Sequence, residues 1–167
     1  MSRFQSLLCF SFFLVLVGCS TSDSPHTYYQ TLSQTHQQAI DSYNAYTEFA
    51  DQKDLEEGIF EKMEEKRQQT LDQISVLRDK IRGVTELKDD EGLKVAYLND
   101  FDVMLDLLSH EEKELITLWK GSTLPSPTQE EVDHEAELLR SIEEKNQASY
   151  TQIEIAEKAY KTQYQIE

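Results

Sequence analysis

Between residues 28 and 164, apolar side chains recur at alternating steps of three and four, and this period leaves little choice of fold. Such spacing lays one stripe along one side of an α-helix, whereas a half-buried strand needs alternation at every second residue. Four stripes follow one another. Helix A is predicted over residues 28–51, with Leu32, His36, Ala39, Ile40, Tyr43, Tyr46 and Ala50 on one face. Helix B is predicted over residues 54–82, with Ile59, Met63, Thr70, Leu71, Ile74, Leu77 and Ile81 inward. Asp54 and Glu57 have the spacing of a capping box at its start, and Gly83 is placed to end it. Helix C, over residues 90–120, carries the strongest stripe: Leu93, Ala96, Tyr97, Phe101, Met104, Leu105, Leu108, Leu115, Leu118 and Trp119, with Gly121 as its stop. Helix D opens at Thr128, where Thr128 and Glu131 form a second capping-box pattern, and runs close to the C-terminus. Its expected core positions are Val132, Leu138, Leu139, Ile142, Ile153, Ala156, Tyr160 and Tyr164, and its polar middle, residues 145–152, is expected to pack more loosely.

Only five Gly and three Pro interrupt 167 residues, which suits a helical chain and disfavours a loop-rich or all-β one. Links between the four segments are short to moderate, and such links set neighbouring helices antiparallel. The expected fold is therefore all-α, an antiparallel up-down four-helix bundle with long helices over residues 28–167. Three long helices are the alternative, if A and B form one bent rod.

Sixteen basic residues face 32 acidic ones. Residues 1–18 hold a single charge, Arg3, so the remainder carries 15 basic against 32 acidic groups, a net of −17. Binding a phosphate backbone needs Lys and Arg in excess, so no nucleic-acid partner is expected. The same charge disfavours adsorption to anionic head groups.

The N-terminus reads as an export signal. One positive charge precedes the apolar run of residues 7–17, which is about half the length a membrane-spanning helix needs. The run ends in Leu16-Val-Gly-Cys19, which closely resembles the lipobox of bacterial lipoproteins. That resemblance implies cleavage after residue 18 and a diacylglycerol thioether on Cys19. It also implies, since Ser20 rather than Asp follows the cysteine, delivery to the outer membrane. Residues 19–27 are then a polar tether. Cys9 leaves with the signal, so the mature chain has no disulfide and depends on packing for stability.

Motifs that carry chemistry are sparse. Glu131-Val-Asp-His134 is one Glu-x-x-His, whereas di-iron bundles use two with further carboxylates. His110-Glu-Glu-Lys-Glu114 begins like a zinc-protease helix but has Glu where the second His must stand. His36 falls on the apolar face of helix A, and His26 falls in the tether. No phosphate-binding glycine loop, nucleophile elbow or calcium loop is present in the sequence. The acidic runs Asp89-Asp-Glu91 and Glu111-Glu112 suit a helix start and a helix face. The reading is a non-enzyme, with no catalytic residues, metal ligands or cofactor.

Tyrosine is the least ordinary component. Tyr43, Tyr46, Tyr150 and Tyr160 are the candidate contact surface, because tyrosine is favoured in interfaces, with bundle packing as the structural alternative. Tyr43-Asn-Ala-Tyr46, residues 87–93 entering helix C, and the ending Glu157-Lys-Ala-Tyr-Lys-Thr-Gln-Tyr164 resemble a family of uncharacterised helical bacterial surface lipoproteins. That family has no assigned catalytic residues, so the resemblance implies surface exposure and no chemistry. The expected function is a membrane-anchored envelope module that acts by contact with an envelope protein. The alternatives are a periplasmic small-ligand binder, with a cavity near Asn146, Ser149 and Tyr150, and a metal-binding bundle.

Overall fold

The computed structural model describes residues 24–51, 58–122 and 127–167. It contains α1 (Pro25–Ala50), α2 (Ile59–Gly83), α3 (Leu93–Ser109), α4 (Glu111–Gly121) and α5 (Gln129–Tyr164), and no strand among the described residues. The chain is an all-α four-helix bundle whose third rod is broken into α3 and α4.

Cross-helix contacts give the directions. Along α1, Tyr28 meets Asp90, His36 meets Asp100 and Tyr43 meets Glu112, so α1 runs parallel to the third rod. Along α5, Tyr97 meets Glu157, Lys145 meets Asp106 and Trp119 meets Glu135, so α5 runs against it. Lys94 reaches the end of α2 while Arg67 reaches Leu108, so α2 is antiparallel to the third rod and to α1. α1 and α2 are separate rods, which excludes the three-helix alternative. Backbones pack closely at α1/α2, α2/α3 and α3/α5, whereas α1/α5 is the loosest seam.

Helix ends follow local chemistry. α1 begins three residues before the predicted start, inside the expected tether, because Ser24 accepts the Thr27 amide (3.2 Å) and Pro25 occupies the first turn. α2 begins after Gly58, whose φ of 74° is left-handed. The expected Asp54–Glu57 capping box lies outside the described residues. α5 has its predicted capping box, Thr128 with Glu131.

The α2–α3 corner is organised by one carboxylate. Asp90 accepts from the Gly92 and Lys94 amides (3.0 and 3.2 Å) and from the Tyr28 hydroxyl (2.9 Å). Lys94 turns back to the carbonyls of Arg82 and Val84, which α2 leaves unpaired as it ends. Helix C therefore starts at Leu93 rather than at residue 90, with Asp90 as a buried clamp in front of it.

Helix C is not continuous. His110, at φ −119° and ψ −80°, separates α3 from α4. Three glutamates fill the first turn of α4, where negative charge complements the backbone dipole. A break frees carbonyls at the end of α3, and the buried Arg67 guanidinium takes one of them, Leu108 O, at 2.5 Å. Arg67 also forks onto Glu64 at 2.5 and 2.8 Å.

The core holds Leu32, Met63, Ile74, Phe101, Leu107 and Leu108, all fully buried. Two expected core positions on α5 are corrected: Val132 is 42 % exposed and Leu139 49 % exposed. Leu138 takes the inward place, and the turn of about 100° per residue carries Leu139 to the solvent side of α5.

Candidate functional site: the groove between α1 and α5

One cluster of tyrosines bridges the α1/α5 seam, and a groove opens further along it. At one end Tyr28, Tyr29 and Tyr164 pack their rings on Tyr160, with centroids 4.7–6.1 Å away. The Tyr160 hydroxyl closes this end by donating to Pro25 O at 2.8 Å. Further along, α1 offers Ile40, Tyr43 and Asn44, and α5 offers Glu143, Asn146, Gln147 and Tyr150. Asp100 and Met104 of α3 form the floor of an open groove of about 480 Å³. The polar middle of helix D is the wall that fails to close, as its composition suggested.

Beneath the floor, buried acids meet a histidine and tyrosine hydroxyls. Asp100 Oδ2 lies 2.7 Å from His36 Nε2, and the His36 ring leans on Tyr97 and Phe101. Tyr97 donates to Glu157, and Tyr43 donates to Glu112 at 2.9 Å. The Tyr46 hydroxyl faces the same Glu112 without reaching hydrogen-bond geometry and has no partner. Burial pushes the Tyr43, Tyr46 and Tyr97 phenols far above their ordinary range, and the nearby carboxylates push further. Burial pushes Tyr160 up to about 12. These phenols therefore stay protonated and act as donors. Burial also raises Glu112, against the lowering effect of the tyrosine hydroxyls. Glu111 differs: burial raises it, but Lys145 at 2.5 Å, its own backbone amide and Ser141 hold it below the usual range.

The four candidate contact tyrosines divide. Tyr150 is 51 % exposed and Tyr43 is nearly buried, and both line the groove. Tyr46 and Tyr160 are both at 0 % exposure and serve as packing, so as they stand they offer no surface to a partner. Of the three residues expected around a cavity, Asn146 and Tyr150 line the groove, while Ser149 is buried and donates to Asn146 O. Cys19 lies outside the described residues.

His134 pairs with Glu114 at 3.0 Å across α4 and α5, and His110 pairs with Asp106 at 2.9 Å. Among the described residues no three His, Cys, Asp or Glu side chains are placed to hold a metal ion, and no helix is long and apolar enough to cross a membrane.

No family model, curated protein or solved structure matches this chain. The functional reading rests on its own geometry.

Sequence reasoning missed Asp90, Asp100 and Glu111 as interior residues. A signal was present. Asp90, Leu93, Tyr97, Asp100, Met104, Leu107 and Glu111 follow one another at alternating steps of three and four, and all seven are buried. A charge that falls in register on an apolar stripe marks a buried polar contact.

Proposed function

We propose that this chain is a lipid-anchored, non-enzymatic contact module of the bacterial envelope, held at the outer membrane through Cys19. Its α1/α5 groove is the face presented to an envelope protein. The observation that carries this reading is the groove itself: an open, tyrosine-lined seam between α1 and α5 with exposed Tyr150 on its rim. The lipobox resemblance supports the anchor. With α1 starting at Pro25, the residues between Cys19 and the bundle span at most about 20 Å at full extension, which keeps the module near the bilayer.

A second reading makes the same groove a small-molecule pocket. Its volume of about 480 Å³ favours this, being within the usual size of ligand sites. The open form favours contact with a larger surface.

Two measurements test the proposal. Metabolic labelling with radioactive palmitate should mark the wild type and not Cys19→Ser; an unlabelled wild type ends the anchor. A photo-crosslinking residue at position 150 should give a protein adduct in intact cells, whereas one at position 76, an exposed site on α2, should not. Adducts at 76 alone, or at neither position, end the contact reading.

A further inference from the structure

We infer that the groove receives an amphipathic helix of a partner protein that carries Lys or Arg at its centre; this deepens the contact reading above and rests on it.

α5 sets the shape of the occupant. Val132, Ala136, Leu139, Glu143, Asn146 and Tyr150 follow one another at steps of four and three. That is the spacing by which one helix seats against another. The same register continues into Ile153 and Tyr160, which are buried inside this bundle. One helix-packing face is thus covered at its C-terminal end and uncovered at its N-terminal end. On the uncovered part Val132, Leu139 and Tyr150 are all exposed. From residue 132 to 150 the stripe is about 27 Å long, or five turns, at the helical rise of 1.5 Å per residue. An occupant of matching form is a helix of similar length.

Charge selects which helix. Asp100 and Glu143 line the groove, and no cationic side chain does. The whole chain carries −16. A second copy would bring the same acids to the same place, so self-association is disfavoured. A Lys or Arg fits each part of the lining. Its methylene stem lies over Ile40 and Met104, and its charge meets carboxylate. Tyr150, half exposed on the rim, supplies an aromatic ring for cation–π contact. Apolar residues one turn away on the incoming helix would cover Leu139 and Val132.

The test uses the full acylated protein in cells. A photo-crosslinker at position 139 leaves Tyr150 intact, and mass spectrometry of the adduct identifies the attached segment. That segment should read as an amphipathic helix with Lys or Arg at its centre. A synthetic copy should bind the purified lipoprotein by calorimetry, with Leu139→Ser and Tyr150→Ala each weakening binding by about 10-fold, as for anchor residues. Glu143→Gln, on the rim, should weaken it by roughly 3-fold and reduce its salt dependence. Val76→Ser, an exposed apolar site on α2, should leave binding unchanged. All the substituted residues are exposed, so the fold should survive each change. An acidic or uncharged segment, a lipid or saccharide adduct, or a second copy of this chain would overturn the inference and leave contact at the groove standing. So would a basic segment whose binding Val76→Ser weakens as much as Leu139→Ser. Adducts at position 76 and none at 139 or 150 would overturn both.

Discussion

Tyr43 and Tyr46 give a paired test of how the interior is held, because they differ by one hydrogen bond. Both rings are packed in the core beside Glu112, which is 4 % exposed. Tyr43 donates to its Oε1 at 2.9 Å, while the Tyr46 hydroxyl has no partner. Tyr43→Phe removes a donor from a buried carboxylate, and hydrogen bonds to charged groups contribute about 1.5–3 kcal/mol. For a chain of this size roughly 1 kcal/mol moves the melting temperature by about 2–4 °C, so Tyr43→Phe should lower it by about 3–12 °C near neutral pH. Tyr46→Phe removes a buried polar atom that is already unpaired and should lie within about 0.5 kcal/mol of wild type or above it. The pH dependence follows from the raised Glu112. A carboxyl whose folded pKa is raised stabilises the fold fully below its unfolded pKa, and that contribution is lost as pH rises through the folded value. Tyr43 is one of the groups opposing the rise, so its loss should raise Glu112 further and cost most at neutral pH. Once Glu112 is protonated the missing bond is between neutral groups, and the cost should fall to about 1 kcal/mol. Thermal unfolding followed by circular dichroism, with Glu112→Gln completing a double-mutant cycle, measures each quantity. Equal losses for the two Phe variants, or a Tyr43→Phe cost that stays constant on acidification, would refute the reasoning.

Other perturbations separate other parts of the fold. Leu107→Ala, at a fully buried position, should cost about 2–5 kcal/mol in denaturant unfolding, whereas Leu139→Ala, half exposed, should stay within about 0.5 kcal/mol. Thr128→Ala should lower stability by about 1 kcal/mol, measured the same way, because it opens the capping box of α5. Lys145→Met should destabilise by roughly 1 kcal/mol near neutral pH, a figure reduced for solvent screening. Asp106 and Glu111 are held below their usual range, so that loss should fade as pH drops through their folded values, which a pH series of unfolding curves reads directly.

How far the sequence was legible depended on whether one turn of helix contained the information. The rods, the Thr128 cap and the inward stripe of α1 are local, and the three-four spacing showed them. The break at His110 was not local. Nothing at residues 109–112 forbids a continuing helix; the break holds because Arg67, 41 positions upstream, caps the Leu108 carbonyl. Val132 and Leu139 misled because an apolar residue in register was read as a core residue. On α5 they stand off the stripe of Leu138, Ile142 and Ile153 that packs inward, and both are exposed.

Both misreadings bear on the groove. α4 opens directly after the break at His110 with Glu111 and Glu112, and both glutamates are buried: Tyr43 holds Glu112, and Lys145 and Ser141 hold Glu111. Tyr43 is therefore fixed from below by its hydroxyl while its ring lines the groove, and Asp100 is fixed likewise by His36. A side chain anchored at its polar end has already lost its rotamer freedom, so an incoming partner need not supply that ordering. In this bundle the interior acids and the surface groove are two sides of the same residues. The Tyr43→Phe variant should accordingly weaken partner binding more than its retained ring area suggests.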